Sequence, residues 1–289
     1  MLRRFLLLAL LATLAATSVR AQVGGVTAEL VLDQEQYLPD EDLQLKVRIT
    51  NRSGQPLTLG QDDSWISFEI VGERNYLVAK LAPMPVAGEF TLLSGQVGTR
   101  ALNPTPYFDF RRPGHYRIGA TIRLEQWGKT IDCKPVYITV ANGVPLPNLA
   151  NLQVGLPLPP GVTNALPEMR HFSLLKVAYL DELKLYVRLS DDHDHPLRVF
   201  PLARMLSFSV PEAQVDRASN LHVLLQTGAR SFTYSVVSPE GRLLVHQMRD
   251  YTQTRPTLRI TDDAQIYVAG GVRWWAADDV PAPDSANSR

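Results

Sequence analysis

Hydrophobic and polar residues alternate most regularly between Tyr107 and Val140. Tyr116, Ile118, Ala120, Ile122 and Leu124 are interleaved with His115, Arg117, Gly119, Thr121 and Arg123. That is the period of a strand with one buried face and one wet face. Gln126, Trp127 and Gly128 interrupt the run, and Gly128 is free to take the positive φ of a tight turn. Ile131 and Cys133 resume the alternation. After Pro135 the phase slips by one, so that Val136, Ile138 and Val140 become the inward set. Proline has no amide hydrogen to give to a ladder, so an edge position or a bulge is expected at Pro135. The stretch predicts a hairpin.

Upstream, Leu30 and Leu32 begin an alternation and Tyr37 to Asp42 reads as a turn. Leu43, Leu45, Val47 and Ile49 then alternate with Gln44, Lys46, Arg48 and Thr50, and Asn51-Arg52-Ser53-Gly54 closes that strand. Ile66, Phe68 and Ile70 point one way, with Trp65, Ser67 and Glu69 opposite, which leaves the placement of Trp65 open. Residues 80–100 predict loops with short strands. From 141 to 168 the texture changes. Pro145, Pro147, Pro157, Pro159, Pro160 and Pro167 suggest an extended connection, part of it lying against a domain.

The second half is again strand-rich. Leu183, Leu185, Val187 and Leu189 alternate with Lys184, Tyr186 and Arg188, and Leu221, Val223 and Leu225 repeat the pattern. Phe232–Val237 and Leu243–Met248 flank Ser238-Pro239-Glu240-Gly241, a sequence suited to a reverse turn and hence a hairpin. Ile266 and Val268 mark a last strand before Gly270-Gly271. Beyond Ala276 the Pro, Ser and Asp content predicts a disordered tail over 276–289.

Two stretches carry a resemblance. Pro113-Gly114-His115-Tyr116-Arg117-Ile118 resembles the tyrosine corner of immunoglobulin-like sandwiches. The likeness implies that the Tyr116 hydroxyl bonds back to loop backbone and that Ile118 stands where a second cysteine usually does. The run YLPDEDLQLKVRITNRSGQPLTL from Tyr37 is similar to one in bacterial exported immunoglobulin-like domains, with its aromatic-turn-acid opening, strand and Asn-x-Ser-Gly turn. Together they imply an all-β chain: an immunoglobulin-like β-sandwich over residues 26–140. A second β-sandwich over 169–275 is the simplest architecture for regular short strands with turn punctuation. Asn51-Arg52-Ser53 also fits a glycosylation acceptor, although a turn accounts for it.

Composition adds an address. Residues 1–21 read as a signal peptide: Arg3 and Arg4, an apolar run from Phe5 to Ala16, and Val19-Arg20-Ala21 as a small-x-small cleavage site. The run is too short to span a membrane. The expected product is exported, periplasmic or extracellular, with no stable membrane insertion once the signal is removed. Of 29 basic and 29 acidic side chains, removing Arg3, Arg4 and Arg20 leaves 26 against 29, a formal charge of −3. Such a balance gives no electrostatic reason to expect nucleic acid as a partner. Cys133 is the single cysteine, so no internal disulfide exists, and burial on a strand is its expected state.

Candidate chemistry is sparse. The sequence has no nucleophile elbow, no paired-histidine zinc-protease motif, no phosphate-cradling glycine loop and no cysteine pair. Asp192, His193 and His195 offer ligands to zinc, or with neighbouring aspartates to calcium, and the alternative is a polar hairpin tip. His222 and His246 sit among apolar neighbours and are expected to pack. Asp62-Asp63, Asp262-Asp263 and Asp278-Asp279 read as solvated turns. Trp274 and Trp275, being adjacent on a strand, face opposite ways. With Trp127 they are candidate contacts for a protein or a sugar, unless they cover the domain junction. The expectation is a non-catalytic binding or structural protein with no cofactor. The alternative is a metal-dependent hydrolase built on His193 and His195.

Overall fold

A computed structural model describes residues 22–158, 161, 166–179 and 182–280. The expected signal peptide lies outside them. The chain is all-β, with strands in sheets that are antiparallel except where the short strand Gln36–Tyr37 joins in parallel, short 3₁₀ turns and no α-helix among the described residues.

The first domain contains β1 (Gln22–Val23), β2 (Val26–Leu32), β3 (Gln36–Tyr37), β4 (Leu45–Asn51), β5 (Leu57–Leu59) and β6 (Ile66–Val71). It continues with β7 (Phe90–Leu92), β8 (Val97–Leu102), β9 (Gly114–Leu124), β10 (Lys129–Asp132) and β11 (Val136–Val140). One sheet has the order β1-β2-β4-β8; the other runs β10-β9-β11-β3, with β6 on the remaining edge of β9. Their facing side chains form one core: Val26, Leu45, Val47, Ile49, Ile118, Ile122 and Leu124 are almost wholly buried in it. The strict period-2 pattern of β4 and β9 is what puts every second side chain there.

Strand β9 is the centre of this domain. It pairs with β6 on one side, and with both β10 and β11 on the other. Pro135 falls in the gap between β10 and β11, where no amide is needed, which explains the phase slip. Gly128 closes the 3₁₀ turn after β9 in the left-handed region, φ 59°. At the start of β9 the Tyr116 hydroxyl donates to the Arg112 carbonyl, and Ile118 is fully buried. Trp65 resolves inward. It precedes β6 rather than alternating within it, and its Nε1 donates to the Val86 carbonyl at 2.8 Å. Asn51 is fully buried, with Nδ2 donating to the Gln55 and Leu92 carbonyls, and it serves the turn rather than glycosylation. Cys133 is buried, and its thiol is pushed up to about 12 by burial, then by Asp132 and Glu29.

The second domain begins earlier than its sequence suggests. Within the expected connection 141–168, β12 (Val144–Pro145) and β13 (Leu152–Gly155) both pair with one edge of β14 (Met169–Tyr179). Val154 enters the core there. One alternation amid prolines is too short to read as a strand; the free edge of β14 decides it. β15 (Glu182–Asp191) and β16 (Pro196–Met205) complete this sheet. Opposite it lies the order β17-β18-β19-β20-β23: Glu212–Val215, Leu221–Gln226, Ser231–Val237, Leu243–Asp250 and Val272–Trp274. Phe172, Leu174, Leu185, Val187, Leu189, Leu221, Val223 and Val237 fill the space between. The hairpin β21 (Thr257–Ile260) and β22 (Ile266–Ala269) lends Leu258, Ile266 and Val268 to a separate cluster with Leu224, Phe232, Tyr234 and Val236. That explains why β18 and β19 bury both faces.

The expected disordered tail does not hold for 276–280. Val280 exchanges backbone hydrogen bonds with His246 on the edge of β20, and Asp279 is buried. An open strand edge supplies donors and acceptors that composition does not reveal. Residues 281–289 lie outside the described residues.

Replacing Tyr116 by Phe removes one hydrogen bond without opening a cavity. Stability measured by urea unfolding should fall by about 1 kcal/mol, with the far-UV spectrum unchanged.

Candidate functional site

The two sandwiches meet across the outer face of the β14–β16 sheet. Leu38, in the turn after β3, packs with Leu175 and Val177 of β14, Tyr186 of β15 and Val199 of β16. Gly143 sits where the chain crosses between domains, and a Cβ there would stand 2.9 Å from the Leu175 Cβ and 3.1 Å from Leu38. Three polar contacts frame the junction. Gln36 Nε2 donates to the Ala178 carbonyl at 3.3 Å, Tyr179 Oη donates to Glu35 at 3.1 Å, and Arg198 pairs with Asp42 at 2.9 Å. The last is solvent-exposed on both sides and contributes little by itself.

Beside this junction is a cavity of about 560 Å³, lined from the first domain by Tyr37, Glu41 and Asp42 and from the second by Arg198, Pro201 and Leu243, among others. Its volume falls in the range of small-molecule sites, and domain junctions are where such sites gather. Glu41 is 5% exposed. Its Oε2 accepts from the Leu38 amide at 2.8 Å and its Oε1 from Gln34 Nε2 at 2.6 Å. Burial pushes the Glu41 carboxyl up to about 7. Those two hydrogen bonds and the more distant Lys184 pull it down without offsetting burial, and Asp42 adds to the rise. No cationic side chain pairs with Glu41 among the described residues.

Tyr37 and Tyr186 are both almost wholly buried, and burial followed by the Glu41 charge keeps their phenols neutral far into the alkaline range. Among the described residues the Tyr37 hydroxyl has no hydrogen-bond partner. The nearby Gln34 backbone amide lowers its pKa slightly but is not placed to bond it well, and it offers the phenolic proton no acceptor. Among the described residues, a carboxylate with no ion-pair partner thus lies at a cavity wall, beside a phenol whose buried hydroxyl is unpartnered. Nothing in the sequence pattern singled them out, because a polar turn ordinarily faces water. The one signal was the pairing of an aromatic with an acid four positions later.

The residues expected to carry chemistry are placed otherwise. In the β15–β16 turn, Asp191 Oδ1 accepts the backbone amides of His193 and His195, and Oδ2 lies 3.0 Å from His195 Nδ1. Slight burial opposes ionisation of Asp191, but these bonds outweigh it and hold its pKa below the usual carboxylate range. Asp192 lies 3.6 Å from His193 Nε2, and the two imidazoles are 6.1 Å apart, tilted by 69°. The loop is a capped hairpin tip. Among the described residues no group of three or more His, Cys, Asp or Glu side chains is arranged to hold a metal ion.

His222 is packed, bridging the Tyr234 hydroxyl at 2.7 Å and Asp216 at 3.0 Å. Ser235, His246 and Asp278 stand in a row that outwardly suggests a nucleophile, base and acid. Ser235 is 2% exposed in mid-strand, however, so no substrate carbonyl reaches its oxygen. Asp279 departs from the solvated-turn expectation: it is buried against Arg273 at 3.3 Å.

Trp274 and Trp275 are 41% and 50% exposed, so neither covers the domain junction. β23 lies at a sheet edge, and the Arg273 guanidinium stacks over Trp275 at 3.7 Å. Trp127 is half-buried against the first core and is no free platform.

Glu41 gives the protein a pH-dependent stability. The unfolded carboxyl ionises near 4.5 and the folded one near 7. Between those values the folded state keeps a proton that the unfolded chain has released, so rising pH favours unfolding across that window. The full cost, about 3 kcal/mol, is present above pH 7 and absent below pH 4.5. Glu41→Gln should therefore stabilise the protein above pH 7 and leave it nearly unchanged at pH 4, as read from urea midpoints at both pH values.

No family model matches the chain, and no curated protein matches it. Among solved structures it is similar to the sporulation control protein Spo0M of Bacillus subtilis. Identity is 12%, over 58% of this chain and 80% of that one, with a TM-score of 0.31, a level that carries no argument.

Proposed function

We propose that this is a non-catalytic recognition protein, exported through its N-terminal signal, whose first domain belongs with the immunoglobulin-like sandwiches of exported bacterial proteins. It takes its ligand in the cleft between its two domains. The observation that carries this reading is Glu41, a buried carboxylate with spare lone pairs and no ion-pair partner among the described residues, at the wall of a cavity to which both domains contribute. Leaving such a group unmet costs free energy, and a bound molecule is one way to recover it. Recognition rather than turnover fits the surroundings. Glu41 is held by two donors of its own chain, and none of the cavity-lining side chains is a serine, cysteine or histidine.

Gln44 lines the same cavity and is exposed, so an indole there would fill the entrance without disturbing a core. Thermal-shift screening of mixed small molecules should give compounds that raise the melting temperature of the parent protein and not of Gln44→Trp. Compounds that stabilise both proteins equally would place binding elsewhere and end this reading.

A further inference from the structure

We infer that the junction cleft selects a small organic cation, with a primary ammonium paired to Glu41 and an apolar stem lying on Phe200, Pro201 and Leu243. This rests on the reading of the cleft as the ligand site and goes on to name the ligand's chemistry.

The argument begins with charge. Arg198 is matched by Asp42, Arg242 by Glu240, and Lys46 by Asp33, so the other charged groups lining the cavity already have partners, while Lys184, outside the lining, attracts Glu41 without pairing with it. Glu41 is the exception. Each of its oxygens accepts one hydrogen bond, which leaves each a further lone pair. An ammonium group brings three donors, enough to meet both of those lone pairs. Such a pair is stronger where water is excluded, and Glu41 is 5% exposed. The arginines at the rim oppose a cation less effectively. Arg198 and Arg242 have side chains 55% and 71% exposed, where solvent screens them and their own carboxylates neutralise them.

A carboxylic ligand would meet the opposite situation, with Glu41, Asp42 and Asp33 on the same wall. The remaining lining is apolar enough to take a short alkyl chain: Val199, Phe200, Pro201 and Leu243 come from the second domain.

The pairing also makes recognition proton-linked. The titratable and charged groups around Glu41 are Asp42 on its own turn, Asp33 and Tyr37 before it, and Lys184 and Tyr186 on β15. Tyr37 and Tyr186 stay neutral near pH 7. With its carboxyl pushed up to about 7, Glu41 is mostly ionised at pH 8 and mostly protonated at pH 6. A cation binds the ionised form, so its affinity should fall about tenfold between pH 8 and pH 6.

Calorimetric titration of the processed chain with hexylamine, 1-hexanol and hexanoate separates the possibilities, since the three share a stem and differ in charge. At pH 8 hexylamine should bind at least tenfold more tightly than hexanol, and hexanoate should not bind. Glu41→Gln should abolish the preference for the amine with an unchanged circular dichroism spectrum. Equal binding of hexanol, or a preference for the amine that survives Glu41→Gln, overturns the inference. Should Glu41→Gln fail to fold, Gln44→Trp decides: hexylamine binding that survives it also overturns the inference. If hexylamine fails while other compounds bind in a Gln44→Trp-sensitive way, the inference falls and the cleft stands. If no compound of any charge does so, the cleft reading falls as well.

Discussion

The β14–β16 sheet has two apolar faces, and both must be kept from water. Its inner face meets the β17–β20 sheet; its outer face, with Leu175, Val177, Tyr186 and Val199, is met by Leu38 of the first domain. Covering that outer face with a turn has a consequence. The backbone amide of Leu38 leaves water along with its side chain and needs an acceptor there. Glu41 supplies it from three residues on, and is itself buried in doing so. The raised carboxyl pKa and the neutral tyrosines around it follow from that single demand for cover. A hydrophobic requirement at the junction thus produces an unusual electrostatic feature beside it.

Elsewhere the polar residues are spent on holding turns and edges. Asp191 organises the β15–β16 tip, Asn51 the turn after β4, and Asp216 the turn before β18 together with His222. In each case a short side chain takes the place of a missing backbone partner, as Asp and Asn commonly do. At the β15–β16 tip, Asp191 takes up two backbone amides as well as the His195 ring, so its carboxylate serves the turn. The junction differs because its polar groups are left over after the turn has been satisfied. Among the described residues the Tyr37 hydroxyl has no hydrogen-bond partner, and Glu41 has spare lone pairs and no ion-pair partner.

The exposed indoles illustrate another limit of local reasoning. Adjacent aromatic residues on a strand face opposite ways, so the pattern leaves at least one without a core to enter. Strand β23 is at a sheet edge and three residues long, so neither Trp274 nor Trp275 reaches one. Arg273 covers part of Trp275 instead, while its own carboxylate partner, Asp279, is drawn inside by the chain that pairs with β20.

By itself the sequence determined the strands whose surroundings are simple. Where one face meets a core and the other meets water, the side-chain period of two is written directly in the residues, as in β4 and β9. The left-handed Gly128 and the break at Pro135 were legible for the same reason, since each is a local steric or hydrogen-bonding rule, whereas the backward bond of Tyr116 was implied by the likeness to a tyrosine corner. What only the tertiary structure decided were features that depend on a distant partner. The Pro-rich segment becomes β13 because β14 has an open edge, β18 loses its alternation because a later hairpin covers it, and Glu41 loses its water because Leu38 is needed on another domain. None of these partners lies within the reach of a local pattern, and a turn of acids reads as solvated until something is packed on top of it.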